Sequence, residues 1–135
     1  MKRIKEKIIE IEQSLQTIKK DYPETYKEFK QLKKLERDGI FKNIEHAIQN
    51  VIDNIYIITK EEDLDIAEED YTAIELVEKE GIIRRETSKK LKTMKGLRNH
   101  LVHGRIDDEE AYKNINQGLH DFKEILKQIR KYVKK

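Results

Sequence analysis

Residues 41–60 read FKNIEHAIQNVIDNIYIITK. Apolar side chains recur in this stretch at alternating spacings of three and four residues, which places them along one stripe of an α-helix. A β-strand would instead alternate apolar and polar residues at every second position. The pattern predicts a long helix from about residue 36 to residue 60, and its apolar stripe consists of Phe41, Ile44, Ile48, Val51, Ile55 and Ile58.

The same periodicity occurs on both sides of this helix. A first helix should end before Pro23, because the residue that precedes a proline is disfavoured in helical angles. A third, shorter helix is predicted over residues 70–80, and Gly81 is well placed to end it. The stripe of the first helix consists of Ile4, Ile8, Ile11, Leu15 and Ile18.

The C-terminal part of the chain predicts two more helices. One begins near Thr87 or Ser88, either of which can cap exposed amides, and it reaches Gly104. The other begins at Asp107, which has the spacing of a capping box with Glu110. Their apolar stripes consist of Leu91, Met94, Leu97 and Leu101 in the former and of Ile115, Leu119, Phe122, Leu126, Ile129 and Val133 in the latter.

These patterns predict an all-α protein, an up-and-down bundle of four to five helices in a single domain over residues 1–135. Only 36% of the residues are hydrophobic and 41% are charged, so the core must be narrow. A homodimer would cover more apolar surface than one copy can. A simple coiled coil is the alternative, but turn signals interrupt the heptad-like pattern every few turns and favour a compact bundle.

The chain contains no cysteine, which rules out a disulfide framework and a thiolate metal site. No apolar run approaches the roughly 18 residues of a membrane span. The N-terminus carries charges of both signs and leads directly into a helical pattern, unlike a signal peptide. We therefore expect a cytoplasmic protein with no membrane partner.

Charge is segregated along the chain although the net charge is only +2. Residues 61–80 contain ten acidic side chains and one lysine, whereas residues 84–105 contain eight basic side chains and one glutamate. This segregation of charge is explained equally well by two solvated surfaces that partly neutralise each other and by a role in binding. In the latter case, the basic segment faces a polyanion and the acidic segment faces a partner protein.

Most kinds of catalytic site lack their residues here. There is no cysteine nucleophile, no glycine-flanked serine and no phosphate-binding glycine loop, which argues against acyl transfer and nucleoside triphosphate hydrolysis. Arg98, Asn99 and His103 in a basic surround suit phosphodiester chemistry, because arginine binds phosphate oxygens and histidine moves protons near neutral pH. RNA brings its own nucleophile, the 2′-hydroxyl, so that no metal ion and no cofactor are required.

The other histidines fit no site that the pattern identifies. His46 and His120 lie within long helical patterns without convergent partners and are interpreted as structural. His100 and His103 share a helix face, but no carboxylate stands at ligand spacing, so that a metal site is not expected.

Arg98 and His103 are five residues apart, about 140° around an ideal helix, so they do not share a face. Two arrangements would bring them together. The helix could end at Gly104 and allow His103 to swing, or a symmetric dimer could combine two copies in one cleft. The dimer is favoured, because one arginine and one histidine supply too few groups for both an acid and a base.

The motif resembles the Arg-x-x-x-x-His signature of the HEPN superfamily. Its surroundings, MKGLRNHLVH over residues 94–103, are similar to the HepT-like branch. The resemblance includes the segments 37–40, 51–53 and 80–83 and covers about residues 36–130. Residues 1–35 form an N-terminal helix and a connection outside it.

Such a resemblance implies a homodimeric ribonuclease toxin with a metal-independent composite site, silenced by a small nucleotidyltransferase antitoxin of the MntA type in a type VII-like pair. In that mechanism Arg98 binds the scissile phosphate of the RNA and His103 transfers protons. Asn99 supports the site by hydrogen bonds, and His100 and Arg105 are further supporting residues.

One departure from the family pattern concerns the residue two positions after the histidine. The family commonly has a tyrosine there that receives nucleotide from the antitoxin enzyme, whereas this chain has Arg105. A guanidinium is no nucleophile, so nucleotidylation cannot occur at that position. The added charge should strengthen phosphate binding beside His103. The nearest tyrosine, Tyr112, is the candidate for modification elsewhere, and occlusion by the partner through residues 61–80 is the alternative.

Two functions from other classes remain open. The chain could be a non-catalytic subunit that binds a nucleotide or docks on a nucleotidyltransferase. It could also be a helical scaffold without a nucleic-acid role. RNA cleavage by the Arg98–His103 pair is the leading hypothesis.

Overall fold

The computed structural model describes residues 2–134, and no strand occurs within that range. The predicted all-α class is confirmed. The sixth helix, beyond the four or five expected, is the five-residue α2, which lies in the connection that follows Pro23. The helices are α1 (Lys2–Asp21), α2 (Tyr26–Lys30), α3 (Lys34–Glu61), α4 (Asp70–Lys79), α5 (Arg85–Val102) and α6 (Asp108–Val133).

Helix α3 lies at the centre of the bundle. It packs along α1 and also contacts α4 and α5, while α6 packs against α5, α2 and α1. The predicted stripes form the core: every stripe residue of α1 is buried, as are all of those in α3 except the half-buried Phe41. Within residues 2–134 no helix is both long and apolar enough to cross a membrane.

Three of the predicted helix ends are confirmed. Helix α1 stops at Asp21, just before Pro23, and α4 stops before Gly81, whose φ of +76° suits glycine. Helix α6 starts after Asp107, whose Oδ1 accepts a hydrogen bond from the Glu110 amide at 2.9 Å. Local chemistry is sufficient to set these ends.

The predicted start of α5 is wrong. Thr87 and Ser88, the predicted caps, lie buried inside the helix, and Arg84 is the N-cap residue. The side chain of Gln128 on α6 fixes this end: its Oε1 accepts from the Arg84 amide at 2.9 Å and its Nε2 donates to Thr87 Oγ1 at 2.5 Å. A contact between helices therefore adds about one turn that no local cap predicts.

Candidate active site

Arg98 lies on the side of α5 that faces α3. Its Nη1 donates a hydrogen bond to Oε1 of Gln49 at 2.5 Å. The amide of Gln49 is held in turn, because its Nε2 donates to Asp53 Oδ1 at 2.8 Å. Asp53 also forms an ion pair with Lys7 of α1 at 3.3 Å. This chain of contacts across three helices fixes the position and orientation of the Arg98 guanidinium.

An open groove of about 370 Å³ lies between α3 and α5 at this arginine. His46, which the sequence predicts to be structural, is exposed and lies in the groove wall. The groove, called the Arg98 groove below, is lined by Lys42, Asn43, Glu45, His46, Gln49, Arg98 and Val102. The spacing of Lys42, His46 and Gln49, four and then three residues, places them on one helix face and was the signal available in the sequence.

The carboxylate of Asp70 interacts electrostatically with Arg98. Asp70, the first residue of α4, pairs with Lys95 Nζ at 2.6 Å and accepts a hydrogen bond from the Tyr56 hydroxyl at 2.8 Å. Burial alone would raise the pKa of Asp70, but the hydrogen bonds from Lys95 and Tyr56 and the charges of Lys95 and Arg98 outweigh it and lower that pKa. Asp70 therefore favours its anionic form, and it joins the start of α4 to Lys95 of α5 and Tyr56 of α3.

His103 is the C-cap residue of α5, and its side chain is exposed. Its amide still donates to the Asn99 carbonyl at 3.1 Å, so its backbone continues the helical path, and the chain reverses only at Gly104, where φ is +63°. This hydrogen bond gives no sign of a backbone swing of His103 towards Arg98, the first of the two arrangements. Within residues 2–134 the side chains of His103 and Asn99 have no hydrogen-bond partner. Neither residue lines the Arg98 groove, although Val102, the neighbour of His103, does.

Two of the three predicted supporting residues, His100 and Arg105, lie outside the lining of the Arg98 groove. His100 lines a separate cleft between α5 and α6, together with Gln117 and Asp121. Arg105 is exposed beyond the helix, and its amide donates to the His100 carbonyl at 2.9 Å. A single chain thus presents Arg98 in one groove, His100 in another and His103 at the helix end between them.

Tyr112 does not suit the role of a displaced modification site. It is buried, and its hydroxyl donates to the Pro23 carbonyl at 2.7 Å. Its ring stacks on Tyr22 with a centroid distance of 5.2 Å. Burial, with the charges of Glu28 and Glu24, raises the pKa of Tyr112, which makes the phenolate nucleophile harder to form. Sequence proximity to His103 did not account for this aromatic packing.

Within residues 2–134 no three histidine or carboxylate side chains converge as ligands of a metal ion. Residues 62–69, the acidic connection between α3 and α4, are mostly exposed and include Ile66. Most basic side chains of residues 84–105 lie along α5. Some of them pair with acidic neighbours, as Lys92 does with Glu75 at 3.2 Å. The two charged segments therefore neutralise each other in part.

Residues 6–129 match the model of a protein family described as Ribonuclease HepT-like. The match includes most of α1, which lies outside the resemblance over residues 36–130. A protein of Archaeoglobus fulgidus that is provisionally described as an RNase is 32% identical over 85 residues. That alignment covers 62% of this chain and spans 64% of the length of the relative.

Solved structures share the whole fold. The toxin–antitoxin MntA–HpeT, in a variant form, contains a chain that is 25% identical with a TM-score of 0.86, and the match covers 95% of this chain and 98% of that one. A tri-AMPylated HEPN toxin of Shewanella oneidensis in complex with an MNT antitoxin is 24% identical, also with a TM-score of 0.86, over 96% of this chain and 98% of that one. The latter likeness concerns the fold alone.

Proposed function

This chain belongs to the Ribonuclease HepT-like family of HEPN proteins, and from that premise we propose that it is a metal-independent endoribonuclease that acts as the toxin of a toxin–antitoxin pair. The observation that carries the proposal is Arg98, whose guanidinium is oriented by Gln49 at the wall of an open groove. A fixed arginine beside an open groove is suited to hold a phosphodiester, because its planar donors match phosphate oxygens.

The proposed reaction is attack by the RNA's own 2′-hydroxyl on the adjacent phosphorus. A neutral histidine accepts the 2′-hydroxyl proton while the bond from O2′ to phosphorus forms. The bond from phosphorus to O5′ breaks, and a protonated histidine donates a proton to the leaving O5′. The products are a 2′,3′-cyclic phosphate and a free 5′-hydroxyl. Arg98 stabilises the negative charge that develops on the non-bridging oxygens.

The active site is proposed to be composite, at a homodimer axis. Because His103 stays on the helical path, about 140° from Arg98 around α5, one copy cannot place both on one phosphate by helix geometry alone. A second copy related by a two-fold axis would bring another histidine to the Arg98 groove. Asn99 is half-buried, lies one helical turn before His103 on the same side of α5, and would support the shared site.

The proposed partner is a nucleotidyltransferase antitoxin, as in the MntA–HpeT pair to which this chain is similar. Arg105 replaces the tyrosine that this family commonly presents, and Tyr112 is buried. We therefore propose silencing by occlusion of the basic surface around Arg98 and Arg105 rather than by covalent modification near His103.

The first experiment is RNA cleavage by the purified protein with a chelator of divalent ions present. Wild-type protein should cleave, whereas Arg98→Ala and His103→Ala should each lose activity by about 100-fold or more. His120→Ala is the matched control, because His120 is an exposed histidine of α6 away from the Arg98 groove. Absence of cleavage by the wild-type protein, or full activity without His103, would favour a non-catalytic docking subunit.

The second experiment tests the mode of silencing. The protein is incubated with the nucleotidyltransferase encoded next to it and with ATP, and its intact mass and ribonuclease activity are measured. Lost activity at unchanged mass supports occlusion. A mass increase of one or more nucleotides that disappears in Tyr112→Phe would contradict it and would mean that Tyr112 leaves the core.

A further inference from the structure

His46 has no evident role in folding. Its side chain is exposed on α3, and within residues 2–134 it makes no hydrogen bond or ion pair. It is nevertheless placed in the wall of the Arg98 groove, three residues before Gln49, the residue that orients Arg98. An imidazole without structural partners therefore lies in the same groove as the fixed guanidinium.

The proposed cleavage needs a proton acceptor and a proton donor on opposite sides of one phosphate. Arg98 remains protonated and cannot serve as either. His103 is a single imidazole, and it lies at the end of α5, outside the lining of the Arg98 groove. In the proposed composite site, the His103 of a second copy reaches this groove as one proton-transfer group, and a second is needed beside it. Among the residues that line the groove, His46 is the only histidine, the side-chain type that moves protons near neutral pH.

We propose that His46 is a catalytic residue, the second proton-transfer group of this ribonuclease, which acts on the phosphate that Arg98 holds. The inference rests on the proposed function and deepens it. When His46 starts neutral it takes the 2′-hydroxyl proton, and the His103 that a second copy brings to the groove supplies the proton to O5′. With the charges exchanged, the roles are reversed. One proton enters and one leaves the pair in each turnover, so that the protein is restored after exchange with water.

The charged groups that face His46 agree with this role. Lys42 and Glu45 flank it on α3, and Arg98 faces it from α5. The two cations attract the phosphate, and Glu45 places one carboxylate at the same wall of the groove. RNA bound along the groove would thus contact the guanidinium of Arg98, the imidazole of His46 and the positive charge of Lys42.

The test compares His46→Ala, His46→Gln and the control His120→Ala as folded full-length proteins. The rate of cleavage of a short RNA should fall by about 100-fold in both His46 variants and stay unchanged in the control. Binding of the same RNA with 2′-O-methyl groups, measured by fluorescence anisotropy, should stay within about threefold of wild type, since the phosphate clamp is intact. Added imidazole should restore part of the rate of His46→Ala and none of the rate of Arg98→Ala.

The pH dependence gives an independent readout. Wild-type kcat/KM should follow a bell-shaped curve, and His46→Ala should lose one of its two limbs. Wild-type cleavage that survives in His46→Ala within about threefold would overturn the inference and leave the proposed function standing. An equal loss of rate and RNA affinity would also overturn it, because His46 would then only bind phosphate. A wild-type protein that cleaves no RNA would overturn the proposed function and the inference together.

Discussion

Gln49 illustrates how one uncharged residue controls a charged one. Its amide oxygen holds Arg98 and its amide nitrogen is held by Asp53. Gln49→Ala should lower kcat/KM for RNA about tenfold, because a freed guanidinium must be ordered again in the transition state. Gln49→Glu should lower kcat/KM further, since the new carboxylate would neutralise the positive charge of Arg98.

The matched control for Gln49 is Gln117→Ala. Gln117 makes the same kind of contact, from its Nε2 to Asp121 Oδ1 at 3.2 Å, but on α6 and away from the Arg98 groove. Its removal should leave kcat/KM unchanged. Equal losses in Gln49→Ala and Gln117→Ala would mean that the effect comes from general destabilisation.

A second prediction at this scale concerns Asn54 in the centre of α3. Its side chain is fully buried, and among residues 2–134 neither its Nδ2 nor its Oδ1 has a hydrogen-bond partner. Asn54→Leu should raise the free energy of unfolding by about 1–2 kcal/mol, because the cost of burying an unsatisfied amide disappears. Urea denaturation measures this, and a lower midpoint for Asn54→Leu would show that the asparagine has a partner in solution.

At the scale of elements, Asp70 joins the start of α4 to α3 and α5 through Tyr56 and Lys95. Its pKa is lower in the folded chain than the ordinary value of 3.8, so the unfolded chain binds more protons at acid pH. The stability that Asp70 contributes is therefore present above the ordinary value and is lost as the pH falls through the lowered pKa.

The free energy of unfolding should fall less steeply with decreasing pH in Asp70→Asn than in wild type. Urea denaturation at pH values from 6 down to about 2 measures it. Asp70→Asn should also be less stable than wild type at pH 6. Asp38→Asn serves as the control, because Asp38 is exposed and its pair with Lys34 spans 3.8 Å. An equal loss of unfolding free energy between pH 6 and about pH 2 in wild type and Asp70→Asn would contradict this role of Asp70.

At the scale of the whole molecule, we predict a homodimer with a light-scattering mass near twice the 16.2 kDa of one chain. Val102, at the end of the Arg98 groove, is 53% exposed and would be covered by a second copy there. Val102→Glu should shift the protein towards monomer and lower RNA cleavage. Leu35→Glu is the control, because Leu35 is 83% exposed on the first turn of α3. A wild-type monomer at micromolar concentration would contradict the composite site.

Repeats of apolar residues and local turn chemistry determined most of the fold. The stripes of α1, α3 and α6 could be predicted because burial of one helix face imposes the spacing of three and four residues. Pro23, Gly81 and Asp107 set helix ends through contacts within a few residues of themselves. The same local character made the motif around Arg98 and His103 recognisable in the sequence.

Only the tertiary structure decided which groups meet across helices. The start of α5 depends on Gln128, 44 residues from Arg84, and the orientation of Arg98 depends on Gln49, 49 residues away. Tyr112 is closer to His103 in sequence than either of these pairs, yet it packs into the aromatic core against Tyr22. Sequence periodicity reports which face of a helix is buried, but it carries no information on which residue of another helix lies opposite.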